Sequence, residues 1–238
     1  MTFDWLTQRP IAHRGLHDVK KNIAENSLTA FYAAVDHNFP IMLDACLTKD
    51  GVVIVYHDHL SVSSSNPKVI DSLAKDVVGQ KITDSNDVIQ SLEYVLEKLQ
   101  GRTPVLVNLH GNPPHFDTGL ATSTSDMLRH YGNNAAMLAG EVHLLRRFPV
   151  SAEGVTHGMR ASGIQRAAIE TNFSMLAHDI QFILYNKDEL PNAFVRFTRQ
   201  RLRVPILAGV IKNKEQWLAV NKLADQMVFE GFNPDSIE

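Results

Sequence analysis

The sequence predicts an α/β fold, a closed (β/α)8 barrel of the TIM type, and three observations carry that expectation. Short β-branched runs recur with amphipathic helical patterns between most of them, the alternation that produces a mainly parallel sheet. Counting a short apolar segment at residues 10–12, there are eight strand candidates. The chain of 238 residues suits one barrel, and a chain of that size buries roughly 70% or more of the surface its unfolded form exposes. With no internal repeat and no linker to split it, residues 1–238 read as one domain.

The elements follow in order. Residues 27–37 read as the first helix, because Ser27 can cap it and Leu28, Phe31, Ala34 and Val35 share a face. Residues 41–47 and 52–56 read as strands, residues 61–67 as a loop, and the polar stretch 59–87 as a small insertion on the barrel. An amphipathic helix over 88–99 precedes a strand at 105–109, a helix at 119–131, a strand at 135–138 and a helix at 142–148. Residues 159–176 are ambiguous and read as helical in part. A strand at 180–184, a helix at 193–201 opened by Pro191-Asn192, a strand at 204–211, a helix at 214–223 and a strand at 227–229 complete the pattern.

One connection breaks the alternation. Only Thr48, Lys49, Asp50 and Gly51 separate the second and third strand candidates, too few for a parallel crossover, so an N-terminal antiparallel hairpin is expected. Asp50-Gly51 suits a two-residue type I′ turn. That turn places Asp44 opposite His57 and Met42 opposite His59, with directly opposed Cβ atoms about 4.5–5.5 Å apart.

Composition narrows the function. Hydrophobic residues are 44% and charged residues 21% of the chain, which excludes a disordered chain, a collagen and a coiled coil. A net charge of −3, from 23 basic and 26 acidic residues, gives no surplus for neutralising a nucleic-acid backbone. Cys46 is the single cysteine, so neither an intrachain disulfide nor a zinc ribbon can form. No apolar run approaches the roughly 18 residues of a membrane span, and residues 1–10 lack the apolar core of a secretory signal. A cytoplasmic setting is the expectation.

Eleven histidines supply titratable groups, and their neighbours matter. His13-Arg14-Gly15 ends a short apolar strand, where barrel active sites are built, and the guanidinium can hold a phosphate through two parallel hydrogen bonds. On its own the triplet reads more simply as an ordinary strand-to-loop turn with exposed polar residues. Glu25-Asn26-Ser27 precedes the first helix; Ser27 needs no role beyond capping, while Glu25 can reach the barrel mouth. Asp44 is expected to share a face with His57, and His57-Asp58-His59 has the spacing of a metal-binding pair, although His59 reads more simply as a loop residue. Asn108 and His110 share a face at the end of a later strand. The remaining histidines (His17, His37, His115, His130, His143, His157 and His178) show no mutual spacing, and most are expected at the surface.

Taken together these clusters resemble the glycerophosphodiester phosphodiesterase family. The resemblance rests on His13-Arg14-Gly15, Glu25-Asn26-Ser27 followed by Ala30-Phe31, Asp44 with Leu47-Thr48-Lys49-Asp50-Gly51, and His57-Asp58. It is strong over residues 10–58 and weaker through 104–110, 190–192 and 225–232. It implies a β/α barrel that hydrolyses glycerophosphodiesters to glycerol 3-phosphate and an alcohol with a divalent cation, within glycerol and lipid metabolism. By the resemblance His13 and His57 form the acid/base pair and Arg14 contacts phosphate.

This sequence also departs from the family. Met42 stands where a Glu is usual, Asn108 where another metal-binding Glu is usual, His110 where a Lys is usual, and Gly209 where a Trp is common. Asp44, Glu25 and Asn108 are left as the ligand set for Mg²⁺ or Ca²⁺, weakly bound because hard cations favour charged oxygens. The expected activity is accordingly reduced. An alternative is a catalytically inactive relative that only binds a phosphodiester or a protein partner. A third reading, an amidohydrolase-like metal enzyme built on His57 and His59, lacks the further strand-end ligands it requires.

Overall fold

A computed structural model of the chain describes residues 4–57, 68–82, 85–111, 119–132 and 134–236. Among these described residues ten strands run in chain order: β1 (Ile11–His13), β2 (Ile41–Leu47), β3 (Val53–Val55), β4 (Gln90–Ser91), β5 (Val105–Leu109), β6 (Ala135–Ala139), β7 (Thr156–Ala161), β8 (Ile183–Asn186), β9 (Ile206–Ile211) and β10 (Gln226–Phe229). Eight of them form a closed, all-parallel barrel in the order β1-β10-β9-β8-β7-β6-β5-β2, shut by β1 pairing with β2. The predicted barrel is therefore present.

Its membership differs in one strand from the sequence reading. Thr156–Ala161, unassigned over 156–158 and within the ambiguous stretch over 159–161, supplies the missing barrel strand, whereas Val53–Val55 stands outside the barrel; the helical part of that stretch is Arg166–Met175. The segment Thr-His-Gly-Met-Arg-Ala has one β-branched residue, so propensity gives no strand signal there. Gly158 is required instead by packing, because a Cβ at that position would lie 2.6 Å from the Phe182 ring.

The inner core contains Ile11, Met42, Leu106, Phe182, Leu207 and Val228, closed below by Trp5 and Leu6 of the helix Trp5–Gln8. The outer core lies between alternate strand residues such as Leu43, Ala45, Val105 and Val107 and the helices, with Phe31 and Ala34 of Leu28–Asp36 and Val95 and Leu99 of Leu92–Leu99. Each fully buried Leu, Val or Phe contributes about 1.5–3 kcal/mol. The expected caps hold: Ser27 accepts from Ala30 N at 3.1 Å, and Asn192 accepts from Val195 N at 2.9 Å. The helix expected over 142–148 is instead two short helices, Val142–Leu145 and Phe148–Ser151. Pro149 carries no N–H to continue the ladder.

The expected hairpin forms, with a different register. Its loop has three residues, Lys49-Asp50-Gly51, with Thr48 N donating to Val52 O and Gly51 at φ 82. A type I turn ending in a left-handed glycine absorbs one more residue than a type I′ turn. Ala45 consequently pairs with Val55, and the Tyr56 N–H donates to the Asp44 carbonyl at 3.1 Å. Asp44 therefore stands opposite Tyr56, not His57; His59 lies outside the described residues. β3 can pair here because β1 is short and leaves the end of that edge of β2 free. Beyond it, Cys46, Ile54, Val69, Val77, Ile82 and Ile89 form a small separate core beside the barrel mouth, as an insertion would.

Candidate active site at the barrel mouth

The C-terminal ends of the strands bring the polar residues together. His13 ends β1, Asp44 lies on β2, Asn108 on β5 with His110 immediately after it, Arg160 on β7, and Glu230 directly after β10. His13, Arg14, Asp44, Asn108, His110 and Arg160 line one cavity of about 480 Å³.

Asp44 is its buried centre, at 0% exposure. Its Oδ2 accepts from Arg14 Nε at 2.6 Å and from Asn26 Nδ2 at 3.3 Å. Its Oδ1 accepts from Asn108 Nδ2 at 2.6 Å and lies 2.8 Å from His110 Nε2. Burial alone would raise the Asp44 carboxyl. The His110 hydrogen bond, with the charges of His110, Arg14 and His13, overcomes that and holds it well below the usual carboxylate range.

Arg14 spans two carboxylates, reaching Glu25 Oε2 through Nη1 at 2.7 Å as well as Asp44. Burial opposes its charge, but Asp44 and Glu25 outweigh it and raise the guanidinium pKa. The backbone turns sharply to make this possible: Arg14 has φ 57 and Gly15 φ 78. At Gly15 the chain passes so close to the helix Leu28–Asp36 that a Cβ would lie 2.8 Å from the Ala30 backbone. Asn26 locks the turn, its N–H donating to Arg14 O at 3.0 Å and its Oδ1 accepting from Asp44 N at 3.0 Å.

His13 Nδ1 lies 2.7 Å from Glu230 Oε2, and Lys212 Nζ is 3.0 Å from the other Glu230 oxygen. The His13 hydrogen bond is the main reason that the Glu230 carboxyl falls to about 2, against the opposing effect of burial. His57 and Glu25 line a smaller neighbouring cavity of about 280 Å³ with His17. His57 nevertheless packs edge-on against His110, their ring centroids 5.9 Å apart. Burial, reinforced by the Arg14 charge, lowers the His57 pKa.

Of the residues singled out from sequence, His13, Arg14, Asp44 and Asn108 thus share one cavity, and Glu25 and His57 flank it. Asp44, Glu25 and Asn108 do not fit a divalent cation. The Arg14 guanidinium bridges the two carboxylates, and both Asp44 oxygens are already occupied by donors. Asn108 turns its amide nitrogen to Asp44, and Met42, which lines the same cavity, offers only a thioether. Among the described residues no group of three His, Cys, Asp or Glu side chains could hold a metal ion.

Sequence reasoning missed Glu230, Asn26 and Arg160 as site residues, and put His110 on one face with Asn108 without giving it a role. Glu230 directly follows the last strand candidate, the same position that drew attention to His13, so the strand-end rule reaches it. His157, expected at the surface with most of the other histidines, is buried on β7 at 3% exposure. Among the described residues, no helix is long and apolar enough to cross a membrane.

Known proteins resemble this chain in fold. A phosphodiesterase from Oleispira antarctica, solved in complex with the product sn-glycerol-3-phosphate, matches at 14% identity and a TM-score of 0.79, covering 98% of this chain and 96% of that one. A glycerophosphodiester phosphodiesterase from Parabacteroides distasonis matches at 13% and 0.78, covering 93% and 92%. One from Thermotoga maritima matches at 18% and 0.70, covering 93% and 94%. A search of the curated proteins found no match. The model of the glycerophosphoryl diester phosphodiesterase family matches residues 13–137. That span is more than half of the chain, and the chain therefore belongs to this family of phosphodiester hydrolases.

Proposed function

We propose that this chain hydrolyses a glycerophosphodiester to glycerol 3-phosphate and an alcohol at the barrel mouth, by acid–base catalysis with His57 and His13. The observation that carries this reading is the His13–Glu230 pair at 2.7 Å beside Arg14 in a cavity of about 480 Å³. Glu230 fixes the ring through Nδ1 and leaves Nε2 for the substrate, the arrangement a proton-transfer histidine needs. The Oleispira antarctica relative, with its glycerol 3-phosphate product, supports the substrate class.

In this reading His57, its pKa lowered, is the base. It takes a proton from the attacking oxygen as that oxygen bonds to phosphorus: a water gives glycerol 3-phosphate directly, whereas a glycerol hydroxyl gives a cyclic phosphate that a water then opens to glycerol 3-phosphate. His13 gives a proton to the alcohol oxygen as its bond to phosphorus breaks. Arg14 contacts the phosphate, and Asp44, Glu25 and Asn108 hold the guanidinium network in place. Because two carboxylates already balance Arg14, its pull on developing negative charge is weakened and turnover is reduced. The setting is the cytoplasm.

Release of glycerol 3-phosphate from a panel of glycerophosphodiesters, measured with a chelator present, tests this. His13→Ala and His57→Ala should each abolish it. If His57→Ala retains activity that His110→Ala loses, His110 is the base. The second reading, binding without catalysis, is favoured by the occupied Asp44 carboxylate. Calorimetric binding of a glycerophosphodiester with no turnover under any condition would establish it.

A further inference from the structure

We propose that Arg160 is a specificity residue that binds an anionic substituent, a carboxylate or a second phosphate, on the alcohol side of the diester. The proposal rests on the phosphodiesterase reading above and goes beyond it to the substrate.

Alternation along β7 aims this residue inward. Met159 packs in the outer core and Gly158 lies against Phe182 of the inner core, so Arg160 leaves the strand on its inner side and, at the strand's end, stands exposed in the mouth. It lines the same cavity as His13 and Arg14. Its strand stands four places from β1 in either direction around the closed order, so it approaches from across the mouth.

Arg160 has no hydrogen bond or ion pair with any described residue, unlike Arg14, which is held by Glu25 and Asp44. The carboxylate closest to it in sequence around the mouth, Glu141, is turned back to accept from Gly140 N at 3.1 Å. Gly140 leaves the space the guanidinium occupies: a Cβ there would lie 3.0 Å from Arg160 Nη2 and 3.1 Å from Nε. An inward guanidinium without a counterion, seated on a glycine, is a ready fork for a planar or tetrahedral oxyanion.

In that reading the scissile phosphate lies near His13 at the end of β1 and Arg14 in the turn after it. A group on the opposite side therefore meets the far end of the substrate. Charge bookkeeping agrees, because Arg14 is balanced internally while Arg160 is not.

The test compares glycerophosphoserine with glycerophosphoethanolamine, which differ by one carboxylate. Arg160→Gln should raise KM for glycerophosphoserine roughly tenfold or more, as expected for loss of a charge-assisted pair, and leave glycerophosphoethanolamine within about twofold. Arg160→Lys should recover part of the difference. Gly140→Ala, which displaces the guanidinium, should lower the same preference. Equal losses for both diesters place Arg160 on the scissile phosphate and overturn the proposal, as does no loss for either. Calorimetric binding of both diesters separates this from the catalytic reading. If no diester is turned over, a binding preference for glycerophosphoserine that Arg160→Gln removes still supports the proposal, and equal binding still refutes it.

Discussion

Replacing Asp44 by Asn distinguishes an internal ion-pair network from a carboxylate kept for a cation. The shapes match, so packing is preserved and only the charge is lost. In the native protein the carboxylate is fully buried and meets donors from Arg14, Asn26, Asn108 and His110. Removing it leaves a largely buried guanidinium with Glu25 alone, and breaking a buried pair in this way costs about 3–5 kcal/mol. A chain of this size changes its melting temperature by roughly 2–4 °C per kcal/mol, so a fall of roughly 6–20 °C is expected. Thermal and urea unfolding, in buffer containing a chelator, reads it directly. The pH dependence carries a sign as well. The folded carboxyl is depressed below its ordinary value of 3.8, so its stabilisation is present above that value and lost as pH falls through the folded one. The Asp44→Asn profile should lack that acid-side loss. A carboxylate waiting for a cation behaves oppositely, because its removal relieves repulsion in the metal-free protein. Unchanged or increased stability of Asp44→Asn in chelator would refute the network argument.

Other outcomes follow from the same geometry. Millimolar Mg²⁺ or Ca²⁺ should leave the melting temperature of the native protein unchanged, whereas M42E/N108E, which adds two carboxylates beside Asp44, should be less stable in chelator and recover on adding either cation. Glu230→Gln should lower kcat more than it raises KM and shift the pH–rate profile, while a purely structural role would leave the profile in place. In the native protein the Glu230 contribution to stability should be complete above pH 4.5 and vanish as pH falls towards about 2, which acid titration of the folded state can follow. As the base, His57 must be deprotonated, so the rate should rise with pH through a midpoint below 6.5. Gly158→Ala should destabilise by about 1–3 kcal/mol through overpacking against Phe182, measured by urea unfolding.

What could be read from the sequence divides along physical lines. The barrel was legible because most strands are dense apolar runs, such as Val105–Leu109, and because Ser27 and Asn192 announce their helices. β7 was not, because its place is set by tertiary contacts: Gly158 admits Phe182, and Arg160 needs the cavity. The hairpin was legible as a hairpin but not in register. Asp50-Gly51 serves a two-residue loop and a three-residue loop equally well, and Thr48 decides between them by closing on Val52 through its backbone and hydroxyl. His13, Arg14 and Asp44 could be named because each lies at or near a strand end; their pairing could not, because Glu230 is 217 positions from His13.

The register slip and the occupied carboxylate are linked through Arg14. With Asp44 opposite Tyr56, His57 is not delivered to Asp44 across the ladder, and the donors that do reach Asp44 come from elsewhere: Arg14 from the turn after β1, Asn108 and His110 from β5 and its end. Each is fixed by backbone that the barrel itself holds, Arg14 N to Met42 O at 2.6 Å and His110 N to Ala45 O at 2.9 Å. Arg14 is thus a cation tethered by covalent structure between Glu25 and Asp44, where a diffusible one would have to displace it. A tethered guanidinium lacks the open coordination positions of a metal ion, so it can orient a phosphate but cannot activate a water by coordination. In the proposed reading proton transfer therefore falls on the histidines, and Glu230 is the carboxylate that orients His13 for it.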